Sequence, residues 1–214
     1  MNISDRLLSI CDFVNNSKVY DVGCDHALLD IYLTLYKNCR CVCIDVDEGI
    51  ISRANSNILK YNLVNRIETR VGNGFNDLSL DSDSIMILSG MGTNTILKII
   101  KHNMVDTIIC QTNTEQYILR RGMCSYGYYI NRESIVFDNN RFYITIEFKK
   151  GFVGYSDIEY FLGPKLLKDD SAIFKEYVNN LYNKNIKAYN KCLEYNIDSD
   201  VVFLMNAIKD YKRL

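Results

Sequence analysis

The sequence predicts an α/β doubly wound sheet that ends in an antiparallel hairpin and is followed by a small helical domain, on three observations. Short β-rich runs alternate with segments of helical periodicity as far as about residue 150. The last two of these runs meet at Asp138-Asn139-Asn140, a hairpin turn signal with no helix between them. Beyond them lie two apolar stripes at helical spacing. The chain of 214 residues is long enough to bury one full core and carry an appendage, so it divides as 1–150 and 151–214.

Taken in order, the first helix runs from about Ser4 to Val14, and the first strand is Lys18 to Val22. Gly23-Cys24-Asp25 turns into a helix carrying Ala27, Leu28, Ile31, Tyr32 and Leu35. The second strand is Cys41 to Asp45, and the alternation of Cys39, Cys41 and Cys43 points all three side chains to one face. Asp47 then caps a helix with Ile50, Ile51, Ala54, Ile58 and Leu59 as its apolar face. Ile67 to Val71 is the third strand. Ser84 to Leu88 is the fourth, opening through Ser89-Gly90-Met91-Gly92 into a helix from Asn94 to Ile100, and Thr107 to Cys110 is the fifth.

Tyr128 to Phe137 and Arg141 to Phe148 form the hairpin. Five crossover strands ending in such a hairpin make the Rossmann-like sheet of a class I methyltransferase, whereas a dinucleotide dehydrogenase normally continues with parallel crossovers. The segment from Gly151 through Gly163-Pro164 reads as a connector. Phe174, Tyr177, Val178, Leu181, Tyr182 and Ile186 make one helical stripe, and Val201, Leu204, Met205 and Ile208 a second. With a break near Asn196 to Ser199, they predict an antiparallel, coiled-coil-like helical hairpin.

Composition narrows the function classes. Hydrophobic residues at 48% and charged residues at 24% are those of an ordinary globular protein. A formal net charge of -1 excludes nucleic-acid binding by bulk electrostatics, so a polyanion would have to meet a local basic patch. No apolar run approaches the roughly 18 to 20 residues of a membrane span, and Met1 to Arg6 lacks a signal pattern, so a cytoplasmic protein without membrane contact is expected. Eight cysteines without a CxxC pair read as free, buried thiols, and with only His26 and His102 available no metal is expected.

Polar groups cluster at the predicted strand ends. Asp21-Val22-Gly23-Cys24-Asp25-His26 stands where a strand opens into a helix, with backbone N–H groups and the helix dipole suited to an anionic ligand group. Gly23 admits a ligand to the backbone, and Asp21 can meet an ammonium; Asp21 and Asp25 can equally serve as turn and helix caps. The third glycine of a dinucleotide fingerprint is missing. Asp45, followed by Val46, is placed to accept both hydroxyls of a ribose. Gly72-Asn73-Gly74 either holds an adenine edge or is a plain turn. Ser89-Gly90-Met91-Gly92 would let a transferable methyl and its acceptor approach the backbone, beside Gln111-Thr112-Asn113.

These motifs together resemble the bacterial tRNA (adenine(22)-N1)-methyltransferases over nearly the whole chain. The family's start is similar to Ser4-Asp5-Arg6-Leu7, and its first motif, Asp-Ile-Gly-Ser-Asp-His-Ala, appears as Asp21 to Ala27 with Cys24 for serine. Its Ala-Gly-Met-Gly-Gly appears as Ser89-Gly90-Met91-Gly92-Thr93, and its Gln-Pro-Asn as Gln111-Thr112-Asn113. Tyr155-Ser156 and Phe161 to Leu167 look like its link into a helical C-terminal domain. Asn73 stands where the family commonly has Asp, and Asp45 where it often has Glu.

The resemblance implies transfer of a methyl from S-adenosyl-L-methionine to N1 of adenine 22 in tRNA. It assigns cofactor binding to Asp21, Gly23, Asp25, His26, Asp45, Val46, Asn73, Gly74, Ser89, Gly90 and Met91, and places Gly90, Met91, Gln111 and Asn113 around the acceptor base. Arg6 is a further candidate for gripping RNA. Lys165, Lys168, Lys175, Lys184, Lys187 and Lys191, interleaved with Tyr177, Tyr182 and Tyr189, form either a phosphate-tracking face or a solvated helix surface. Another RNA or a protein as acceptor, and a non-catalytic RNA-binding homologue, are the competing readings; oligomeric state stays open, with a monomer favoured.

Overall fold

The computed structural model describes residues 1–74, 80–81, 83–169 and 171–212. Seven strands form one sheet: β1 (Lys18–Val22), β2 (Arg40–Asp45), β3 (Ile67–Val71), β4 (Ile85–Ser89), β5 (Thr107–Gln111), β6 (Tyr128–Asp138) and β7 (Arg141–Lys150). Their order is β3-β2-β1-β4-β5-β7-β6. The first five run parallel, while β7 is antiparallel to both β5 and β6. The order reverses direction at β1 and β4, so the carboxyl ends of those strands open a crevice, as doubly wound sheets require.

The two faces of the sheet bury different stripes. Val19, Cys41, Cys43, Ile85, Ile87 and Ile109 face α1 (Asp5–Cys11), α2 (Leu28–Tyr36) and α3 (Glu48–Lys60). Tyr20, Val22, Val42, Ile44, Met86 and Leu88 face the other way, toward α4 (Thr93–His102) and the C-terminal helices. Cys39 joins Cys41 and Cys43 in the first set, as their alternation predicts. Asp47 caps α3, accepting from the N–H groups of Gly49 and Ile50, as expected.

Several elements differ from expectation. Helix α1 ends at Cys11, and α2 begins at Leu28, after Ala27 in a left-handed conformation. Leu59 is 64% exposed, so the buried face of α3 is Ile51, Ala54 and Ile58. A helix missing from the sequence reading, α5 (Gln116–Ser125), covers β6. Its stripe of Leu119 and Met123 is disguised by Arg120, which is wholly buried between them. The segment expected to be a connector holds another helix, α6 (Asp157–Leu162), started by a capping box between Ser156 and Glu159.

The predicted helical hairpin is present as α7 (Ala172–Glu194) and α8 (Asp200–Tyr211). Phe174, Tyr177, Val178, Met205 and Ile208 belong to the same apolar cluster as the sheet face. A buried ion pair ties this region to the sheet: Arg120 Nε donates to Glu133 Oε1 at 2.8 Å, and Arg120 Nη1 to the carbonyls of Tyr160 and Phe161. Gly163, at φ +98°, passes so close that a Cβ there would stand 2.7 Å from Glu133 Oε2 and 2.8 Å from Arg120 Nη2. Among the described residues no helix is long and apolar enough to cross a membrane.

Candidate active site

The ends of β1 and β4 and the helix α1 enclose a cavity of about 270 Å³, lined by Arg6, Asp21, Gly23, Asp25, His26, Ser89 and Gly90 among others. Two of the glycine motifs meet directly here. Gly23 lies at φ +84°, a conformation that favours glycine, and a Cβ on it would come 2.7 Å from Met91 Cε, so the Met91 side chain packs over the turn after β1. Its backbone corrects one expectation: the N–H groups of Gly23 and Cys24 both donate to the carbonyl of Ile44, at 2.8 and 3.2 Å, and are not free for an anion.

Asp21 is buried on β1, and its Oδ1 has no hydrogen-bond partner. Burial, then the neighbouring Asp30, push its carboxyl well above the usual carboxylate range, against the pull of Arg6. Asp30, in the first turn of α2 and absent from the sequence reading, is fully buried, and burial raises it also. A signal was available, because Asp30 sits three and four positions before Leu33 and Thr34, both on the buried face of α2. Asp25 is exposed, with His26 Nε2 3.4 Å from its Oδ1, and the His26 carbonyl accepts from Asn57 Nδ2 on α3.

Asp45 ends β2 half-buried and takes the Asp47 N–H on Oδ1 at 3.2 Å, while Val46 is exposed. The N–H of Gly72 donates to the Asp45 carbonyl at 2.8 Å, which sets Asn73, itself exposed, beside the β2 end. Gly74 instead turns inward, where a Cβ would strike Val22 Cγ1 at 2.7 Å, and its carbonyl accepts from Asn103. Its position packs the loop against β1 and α4.

The ends of β4 and β5 are stitched together. Gly90 N–H donates to the Gln111 carbonyl, Asn113 N–H to the Met91 carbonyl, and Asn113 Nδ2 to the Gly90 carbonyl at 2.6 Å. Gln111 itself is buried: its Oε1 accepts from Arg6 Nε at 2.8 Å, and its Nε2 donates to Ser9 Oγ and Thr145 Oγ1. Its side-chain amide is therefore spent on holding Arg6, in place of the expected position against an acceptor base. Arg6 lies over the Tyr143 ring and brings Nη2 within 2.9 Å of where a Cβ on Gly90 would be.

On the tail, Lys165, Lys168, Lys175, Lys184, Lys187 and Lys191 are all exposed. Tyr177 and Tyr189 are buried, with Lys209 Nζ 4.4 Å from the Tyr189 ring centre and Lys212 Nζ 4.5 Å from that of Tyr182. Tyr182 and Tyr189 thus meet the α8 end of the hairpin, while Tyr177 packs against Phe174 and against Phe142 of β7, so the three do not interleave with the exposed lysines as a stacking surface. His102 is exposed, and among the described residues no cluster of His, Cys, Asp and Glu is arranged to hold a metal.

A family model described as "Methyltransferase domain" matches residues 3–146. A Mycoplasma genitalium protein described as a "Putative tRNA methyltransferase" is 31% identical over 185 residues, covering 80% of this chain and 83% of its own. Among solved structures, a Streptococcus pneumoniae protein described as a "putative tRNA (m1A22) methyltransferase", in complex with S-adenosyl-L-methionine, superposes with a TM-score of 0.84 at 26% identity, over 98% of this chain and 99% of that one. The M. capricolum TrmK structure, in complex with S-adenosyl-homocysteine, shares the fold with a TM-score of 0.85 at 24% identity, over 98% and 97% of the two chains.

Proposed function

The chain belongs to the methyltransferase-domain family, and on that premise we propose that it transfers a methyl group from S-adenosyl-L-methionine to N1 of adenine 22 in tRNA. The observation that carries this reading is the unpartnered Asp21 oxygen, at the wall of a cavity that Ser89 and Gly90 also line. A buried acid with an oxygen that no hydrogen bond satisfies suits a cationic ligand group, and glycine beside it leaves room for two reactants.

The cofactor supplies an electrophilic methyl on a sulfonium, which the lone pair of adenine N1 takes without first losing a proton. No strong general base is needed, so the residues act by placement. Asp21 meets the ammonium, and Asp45 with Val46 takes the ribose. Asn73 and the backbone at Gly74 border the adenine of the cofactor. Gly23, Asp25 and His26 shape the turn over its amino-acid end, with His26 ordering the loop. Ser89, Gly90 and Met91 form the wall at which the methyl is passed on. Asn113 fixes the Gly90 carbonyl, and Gln111 fixes Arg6, which lines the same cavity.

The target adenine must leave its stack to reach this wall. The exposed lysines of α7 and the segment before it supply the local positive charge for the RNA backbone. Residues 1–150 form the catalytic unit and 151–214 the RNA-gripping appendage, in a monomeric, cytoplasmic protein that needs no metal.

The test is transfer of labelled methyl from S-adenosyl-L-methionine to unmodified bacterial tRNA, followed by nuclease digestion and nucleoside mass analysis. Labelled 1-methyladenosine at position 22 is the expected product. Tight cofactor binding without transfer to any tRNA would overturn the acceptor assignment.

A further inference from the structure

Asp21 and Asp30 form a buried acid pair. Asp21 is 2% exposed and Asp30 0%, and Asp21 Oδ1 and both oxygens of Asp30 make no well-formed hydrogen bond, Asp30 having the weakly donating thiols of Cys43 and Cys41 beside it. Their carboxyls face each other closely enough to hydrogen-bond once one of them carries a proton. The other titratable groups around the pair do not neutralise it. Cys41 and Cys43 on β2 and Cys11 on α1 are thiols driven upward, chiefly by burial for Cys11 and Cys41 and by Cys24 for Cys43. Arg6 on α1 is the one cation acting on Asp21 among the leading influences, and it is already engaged with Gln111.

Two buried carboxylates with no cation between them cannot both ionise at neutral pH, so the pair holds one proton in common. The two acids differ in access. Asp21 lines the cavity, and Asp30 lies behind it in α2. A cation entering the cavity therefore reaches Asp21 first and makes Asp21 the more stable anion of the two.

We propose that Asp30 is a positioning residue of the cofactor site: when a cofactor ammonium reaches Asp21, Asp30 keeps the shared proton, donates it in a hydrogen bond to Asp21, and so presents Asp21 as a single aimed anion. The proton moves from between the two carboxyls onto Asp30 and none leaves the protein, so charge balances as one anion to one ammonium. This rests on the cofactor reading above.

The test uses the full chain with S-adenosylhomocysteine, which carries the same ammonium and no transferable methyl. Calorimetric titration at neutral pH, in two buffers of different ionisation heat, reads affinity and protons exchanged together. The expected result is near-zero proton exchange for the wild type, an affinity for Asp30→Asn within about threefold, since the amide can donate as the neutral acid does, and a loss of about tenfold or more for Asp30→Leu. Infrared difference spectra of Asp30→Asn against the wild type should show one protonated-carboxyl band lost. Release of a full proton on binding, Asn as damaging as Leu, or no such band in the wild type would each overturn the inference while leaving cofactor binding intact. No binding by any of the proteins would sink the cofactor reading, and the inference with it.

Discussion

Thr93 Oγ1 and Thr112 Oγ1 lie 2.9 Å apart, joined by a hydrogen bond between the first residue of α4 and the loop after β5. Both positions depart from the family motifs that the sequence resembles, Thr93 standing for a glycine and Thr112 for a proline. The two departures meet: a hydroxyl added at one is received by a hydroxyl added at the other. The Thr112 hydroxyl also reaches the Met91 carbonyl at 3.2 Å, and Thr93 reaches the carbonyls of Thr114 and Glu115. A small polar network thus fixes the loop that carries Met91 to the loop that carries Asn113.

Because both hydroxyls are buried, Thr93→Val and Thr112→Val should each lower stability by about 1–3 kcal/mol, the cost of leaving a partner unsatisfied. The double variant should cost less than the sum, since neither hydroxyl is then left facing an apolar neighbour. Urea unfolding of the four proteins measures this, and strict additivity would show that the two residues are not coupled.

Asp45→Ala should weaken cofactor binding by about 1.5–3 kcal/mol through loss of charged hydrogen bonds to the ribose. The fold should tolerate the change, because Asp47 and not Asp45 caps α3. Titration with S-adenosylhomocysteine is the check, and unchanged affinity would remove Asp45 from the site.

Arg120→Met should destabilise by about 3–5 kcal/mol, because Glu133 would be left as a buried charge with no partner ion. Replacing both, Arg120→Met with Glu133→Leu, should recover much of that loss. Thermal unfolding separates the two cases; equal losses in single and double variants would mean that the hydrogen bonds to Tyr160 and Phe161, not the ion pair, hold α6 in place.

The parallel sheet was legible because β1, β2 and β4 are short, largely apolar runs closed by glycine or acid, and β1 and β3 match the sequence reading residue for residue. The helix α5 was not, since a buried arginine at its centre looks like a polar face until Glu133, thirteen residues on in another element, is known to receive it. The same limit applies in the site. Asp21, Gly23, Ser89 and Gly90 announce themselves by lying at strand ends, and the cavity gathers them. Gln111 announces itself too, but its side chain turns to Arg6, Ser9 and Thr145, all distant in sequence. Periodicity locates a residue on an element and leaves its partner unspecified.

The acid pair makes ligand-free stability depend on pH in a direction that can be worked out. Asp21 and Asp30 have folded values raised above the unfolded 3.8, so the folded state binds the extra proton. Their contribution is fully present below 3.8 and is lost as pH rises through the folded value of the pair. Glu68 and Glu147 act oppositely: Arg70 lowers Glu68, and for Glu147 burial is outweighed by Arg132 and Asn131, so stability from these acids is lost as pH falls. A whole-protein profile mixes the two signs, and a difference profile does not. The unfolding free energy of Asp30→Asn minus that of the wild type should therefore increase from pH 5 to pH 8, because the folded wild type keeps the shared proton that its unfolded state releases, and the variant, with one buried carboxyl fewer, loses less stability as pH rises. Parallel profiles over that range would show that Asp21 and Asp30 titrate independently of folding.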